Sequence, residues 1–142
     1  MSTNQQVIER YFEAVWGAGD LEAQGQLIAP EYTGYWLIAG MPVRQGRESH
    51  TAWVQNVRGG LPDARYTIHE LIVDGERAVA RVTLDGTHSG PVAGRAPTGR
   101  HAAVDQVFLF HLANGQICKE WVSFDRESFL KQLEPAPVEI AR

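Results

Sequence analysis

Two turn signals in the second half of this chain constrain its fold more than any other feature. Asn114-Gly115 separates two runs in which apolar residues alternate, 104–112 and 116–124, and both of its residues tolerate the positive φ that a tight hairpin needs. Upstream, 66–73 and 78–84 flank Asp74-Gly75 and read as another hairpin. The four strands predict a sheet on which Gln106, Phe108 and Phe110, with Cys118, Glu120 and Val122, share one face.

The first half reads as helical. Val7, Ile8, Tyr11, Phe12 and Val15 recur at helical spacing before Gly17 and Gly19, which predicts a helix over 4–16. Asp20 caps a short second helix that stops before Pro30, and 31–38 (EYTGYWLI) reads as an aromatic-rich strand. After the turn-prone GMPVRQG, a third helix lines up His50, Trp53, Val54 and Val57 on one face. Leu61-Pro62-Asp63 ends it, 86–99 is loop, and a short helix over 126–133 precedes the tail EPAPVEIAR. Helices first and strands later imply an α+β domain, a curved antiparallel sheet forming a cone on N-terminal helices with a central pocket. The expectation is one domain over 1–142, with 134–142 as a tail.

Composition narrows the function. Of 142 residues 44% are hydrophobic and 21% charged, the balance of a globular domain. Seventeen acidic against thirteen basic residues, the latter scattered, argue against nucleic acid as a partner. A single cysteine, Cys118, forbids an internal disulfide and reads as an inert buried thiol. With neither a signal-peptide pattern nor a membrane-length apolar run, a cytoplasmic protein without membrane contact is expected. No His/Cys/Asp/Glu spacing suggests a metal. G-x-S-x-G is absent, and GRAPTGR lacks the Lys-Ser/Thr of a phosphate loop.

The ordered motifs PD, GTHSG, PTGR, NG-x-I, E-W-x-x-x-D and a closing QL resemble the SnoaL-like polyketide cyclases of the nuclear transport factor two-like superfamily, across nearly the whole chain. That resemblance implies a cofactor-free intramolecular aldol condensation in which a pocket carboxylate is the acid/base. Matching through the motifs places the acid of the anthracycline cyclases at Val122, an imidazole at Phe108 and a polar amide near Gly34. All three positions are apolar or lack a side chain here. The aldol mechanism therefore does not transfer unchanged.

The remaining candidates divide by face. Glu120 either enters the pocket two residues before Val122, where burial would raise its pKa, or pairs with Arg81 at the sheet rim. Asp125 is the second choice for acid/base, or else the N-cap of the last helix. Arg81 matches the arginine of limonene-epoxide hydrolases, but the acid two residues on falls at Thr83, leaving cross-strand pairing as its other role. His88, inside GTHSG, fixes loop backbone or touches substrate. Trp36, His50, Trp53, Gln106, Phe108, Phe110 and Val122 are expected to line a pocket for a hydrophobic cyclic or polyketide-like metabolite, although Phe108 and Val122 also suit plain core. The functions that follow are cyclase or isomerase chemistry of secondary metabolism, a binding protein that has lost the catalytic set, or a hydroxylase- or hydrolase-like relative using pocket water. Val107 and Leu109 make the opposite face apolar too, which predicts a homodimer, with Trp121 structural beside it.

Overall fold

A computed structural model describes residues 3–38 and 41–135. The first segment begins as α1 (Asn4–Arg10) and continues as a wider π-helical turn over Tyr11–Trp16, where the sequence pattern predicted one uniform α-helix. Tyr11, Phe12, Val15 and Trp16 are all buried along it. α2 (Leu21–Leu27) is capped by Asp20, whose carboxylate accepts from the Ala23 N–H at 3.0 Å. α3 (Arg47–Gly60) and α4 (Arg126–Gln132) complete the helices.

Six strands form one curved sheet: β1 (Ile28–Ile38), β2 (Met41–Gln45), β3 (Arg65–Asp74), β4 (Arg77–Thr87), β5 (His101–Ala113) and β6 (Gln116–Phe124), in the order β2-β1-β6-β5-β4-β3. The architecture is the expected α+β one. It differs in two details. β1 runs parallel to β6, so the sheet is mixed, and the GMPVRQG stretch supplies β2 rather than only a turn. β2 is an edge strand, where Pro42 interrupts no central ladder. Asn114 and Gly115 both have positive φ (54° and 74°), as the second hairpin requires, whereas Gly75 alone does at the first (58°).

A bulge in β6 corrects the alternation read from the sequence. Across from it, His111 pairs with Lys119 and Leu112 with Ile117, which leaves Cys118 without a partner residue. Ile117 and Glu120 both point inward as a result, and Cys118 is half-buried rather than buried.

Two core clusters hold the layers together. The larger joins the helices to the inner face of the sheet through residues such as Ile8, Phe12, Val54, Phe108 and Phe110. The smaller gathers Leu61, Leu84, Val104, Phe129 and Leu133 beneath α4. Several family motifs act as clasps between them. The Gln132 amide pairs with both backbone groups of Ala103, at 2.9 and 3.0 Å. Thr98 donates to the Leu133 carbonyl at 2.9 Å and bonds His88 Nδ1 at 3.1 Å. Gly90 passes so close to Gly59 that a β-carbon there would strike backbone. Among the described residues no helix is long and apolar enough to cross a membrane.

Candidate active site

Between the two clusters lies a narrow apolar cavity of about 70 Å³, open at one end. Its wall includes Trp16, Trp36, Trp53, Tyr66, Phe108, Val122 and Phe129, with Gln106 and Arg126 as polar exceptions. Trp16 Nε1, Trp36 Nε1 and Gln106 Oε1 are buried without hydrogen-bond partners, the indole of Trp16 lying beside Tyr11 and that of Trp36 near the Tyr32 hydroxyl. Burial pushes the Tyr66 hydroxyl well above its usual pKa.

Of the residues read from the sequence, Trp36, Trp53, Gln106, Phe108 and Val122 line this cavity. Phe110, His50 and His88 are fully buried elsewhere. Phe110 belongs to the larger core, and His88 fixes the loop before β5 to the end of α4 through Thr98. Arg81 lies on the outer face, 3.4 Å from Glu70, and so neither pairs with Glu120 nor reaches the cavity. Asp125 caps α4, accepting from the Ser128 N–H at 2.9 Å.

Glu120 is fully buried, but it lies beyond the cavity wall rather than on it. Tyr11 donates to its Oε1 at 2.8 Å and Tyr32 donates to its Oε2. His50 Nε2 is 2.6 Å from the Tyr11 oxygen, and the Gln24 amide nitrogen is 2.7 Å from His50 Nδ1. Burial pushes the Glu120 carboxyl up to about 7, even though both phenols favour its charged form. Burial also lowers His50 to about 3, so the imidazole is neutral at neutral pH. Tyr11 and Tyr32 are raised, first by burial and then by the Glu120 charge. A neutral imidazole, two phenols and a carboxyl titrating near neutrality can hold or move one proton without a charged partner.

Gly34 explains how Tyr32 gets there. It is the β1 neighbour of Glu120, and a β-carbon at this position would occupy the place of the Tyr32 hydroxyl. The missing amide at this site makes room for a different donor. Sequence reasoning missed Tyr11, Tyr32 and Gln24. Tyr11 carried a signal, since a tyrosine on a buried helical stripe must place its hydroxyl somewhere. Gln24, in a polar run of α2, carried none. Among the described residues no group of three or more His, Cys, Asp or Glu side chains could hold a metal.

The fold is thus a mixed α+β cone around an apolar cavity, with a buried carboxyl beyond the cavity wall. The family model for SnoaL-like polyketide cyclases matches residues 6–133, and the chain belongs to that family. IdmH of Streptomyces antibioticus, a proposed polyketide cyclase, is 26% identical with a TM-score of 0.79, covering 93% of this chain and 99% of IdmH. TsrD of Streptomyces laurentii is also 26% identical, with a TM-score of 0.77 over 93% of this chain and 95% of TsrD. AclR of Streptomyces galilaeus, a proposed hydroxylase, is 18% identical with a TM-score of 0.80 over 95% of this chain and 87% of AclR, a likeness of fold alone. No match is found among curated proteins.

Proposed function

We propose that this protein catalyses a cofactor-independent proton transfer, of cyclase or isomerase type, on a hydrophobic cyclic metabolite, with Glu120 as the acid/base. The observation that carries this reading is a fully buried carboxyl bonded to two phenols and titrating at about 7, where an acid/base serves both directions of transfer. The aromatic wall suits a flat ring system. Because Glu120 lies beyond the cavity wall, substrate contact with it requires the wall to shift. Product analysis after incubation with aromatic polyketides and steroids tests the reading. Turnover by the wild type and none by Glu120→Gln supports it, and equal turnover by both overturns it.

A second reading, a binding protein without catalysis, is favoured by one observation: the cavity wall itself holds no carboxylate. Tight binding of a ligand that is recovered unchanged would decide for it. An epoxide-hydrolase-like use of Arg81 has no geometric support, because that side chain lies on the outer face.

We also infer a homodimer. Ile72, Val79, Leu109, Trp121 and Tyr35 form one cross-strand row on the outer face, with Ile72, Val79 and Leu109 exposed and uncovered. Arg81, ion-paired with Glu70, stands two residues along β4 from Val79, so the exposed apolar row has a polar border on that side. Light scattering should give twice the chain mass, and Leu109→Glu should halve it. A monomeric wild type at high concentration would remove the inference.

A further inference from the structure

The hydrogens available around Glu120 restrict how the cluster can be bonded. With Glu120 ionised, both of its oxygens accept, and Tyr11 gives its only hydroxyl hydrogen to Oε1. The Tyr11 oxygen must then accept from His50 Nε2, which places the hydrogen of the neutral imidazole on that nitrogen. Nδ1 is left as an acceptor for the Gln24 amide nitrogen, and the Gln24 oxygen accepts from the Thr51 hydroxyl at 3.1 Å. The chain runs in one direction, from Thr51 to Glu120.

A proton on Glu120 reverses it. One proton is taken up at His50 Nδ1, while the Nε2 hydrogen passes to the Tyr11 oxygen and the Tyr11 hydrogen to Glu120 Oε1 along the existing contacts. Oε1 then donates to Tyr11, Tyr11 donates to Nε2, and the imidazole carries its hydrogen on Nδ1. With the Gln24 amide turned over, Nδ1 donates to the amide oxygen and the amide nitrogen donates to Thr51. The Thr51 hydrogen passes to the Arg47 carbonyl, which already lies 3.1 Å away. Every contact is kept and His50 is neutral in both arrangements.

We propose that Tyr11, His50 and Gln24 are positioning residues that form a reversible hydrogen-bond chain, so that Glu120 is fully bonded both as carboxylate and as carboxylic acid. Its catalytic use rests on the acid/base reading above. A carboxyl whose neighbours satisfied only one form would be held in that form, whereas an acid/base must pass through both. The groups that face Glu120 are Tyr11 from the π-helical turn, Tyr32 from β1 and His50 from α3, with Tyr66 of β3 acting at longer range. Phe110, its β5 partner, is apolar, and among the described residues no lysine or arginine comes within ion-pair distance of it. Glu120 titrates well above His50, so its proton can come and go while the imidazole remains neutral.

The test is nitrogen NMR of histidine-labelled protein, followed with the infrared carboxyl band of Glu120 as pH passes through about 7. The expected result is a neutral His50 throughout, with its hydrogen on Nε2 above the Glu120 transition and on Nδ1 below it, at one shared midpoint. In Tyr11→Phe the chain is cut, and the tautomer should no longer follow Glu120. A single His50 tautomer on both sides of the transition, or an imidazolium appearing with the protonated carboxyl, overturns the proposal. If Tyr11→Phe does not fold, the wild-type titration decides alone. A fixed tautomer with turnover lost in Glu120→Gln removes the chain and keeps the acid/base reading. A coupled switch with full turnover in that variant does the reverse.

Discussion

Two neighbouring rows on the inner face of the sheet differ in almost everything except their geometry. Gly34, Glu120, Phe110 and Ala78 are direct cross-strand neighbours, as are Trp36, Val122, Phe108 and Ala80 one step nearer the mouth. Two residues of strand, about 7 Å, separate a row centred on a hydrogen-bonded carboxyl from a row that is wholly apolar apart from one indole N–H. The deeper row is polar because three distant segments bring hydroxyls and an imidazole to it. The outer row faces the cavity and offers a ligand aromatic surface. On the proposed reading, proton chemistry and ligand shape fall to different depths of one cone, and Gly34 leaves the space that the Tyr32 hydroxyl occupies at the deeper level.

The comparison breaks most completely if the deeper carboxyl is made untitratable. Glu120→Gln should lower kcat by about 10²- to 10⁴-fold on any substrate found, while ligand binding in the outer row persists; stopped assays and calorimetry read the two separately. Conversely, Phe108→Ala attacks the outer row and should cost about 3–5 kcal/mol in denaturant unfolding, because the ring is buried against Phe12 and Phe110.

A pH series sharpens the same contrast. Glu120 titrates near 7 when folded and near 4.5 otherwise, so the folded state binds the proton more tightly. Its contribution to stability is fully present below about 4.5 and is lost as pH rises through about 7. Glu120→Gln lacks that loss, and its stability relative to wild type should rise by about 3 kcal/mol across this window. His50, lowered to about 3, works in the opposite direction, its contribution disappearing as pH falls through about 3. Because His50 is present in both proteins, the difference between them isolates Glu120.

Gly34→Ala should displace the Tyr32 hydroxyl, cost about 1–3 kcal/mol and raise the Glu120 transition further, as seen by infrared titration. The smallest effect belongs outside both rows. Asp125→Ala removes a helix cap and should cost about 1 kcal/mol in thermal unfolding, with turnover unchanged.

Local rules go far in this chain. Period-two alternation put Glu120, Val122 and Phe108 on one face, the Asn-Gly turn set the last hairpin, and the end of β6 marked Asp125 as a cap, all of which depend on residues within a few positions of one another. The family motifs belong to the same class, and the structure shows several of them to be clasps between loop, strand and last helix. What the tertiary structure alone decided is the company Glu120 keeps. Its phenol donors are 109 and 88 positions away in the chain; helical spacing put Tyr11 on the buried stripe, but nothing local records that its hydroxyl would meet Glu120 or that Gly34 would leave space for Tyr32. It also decided that β1 lies parallel to β6 and that the cavity stops short of the carboxyl. A hydrogen bond between distant segments costs the sequence only a compatible residue type at each end, so its partner becomes visible only once the chain has closed.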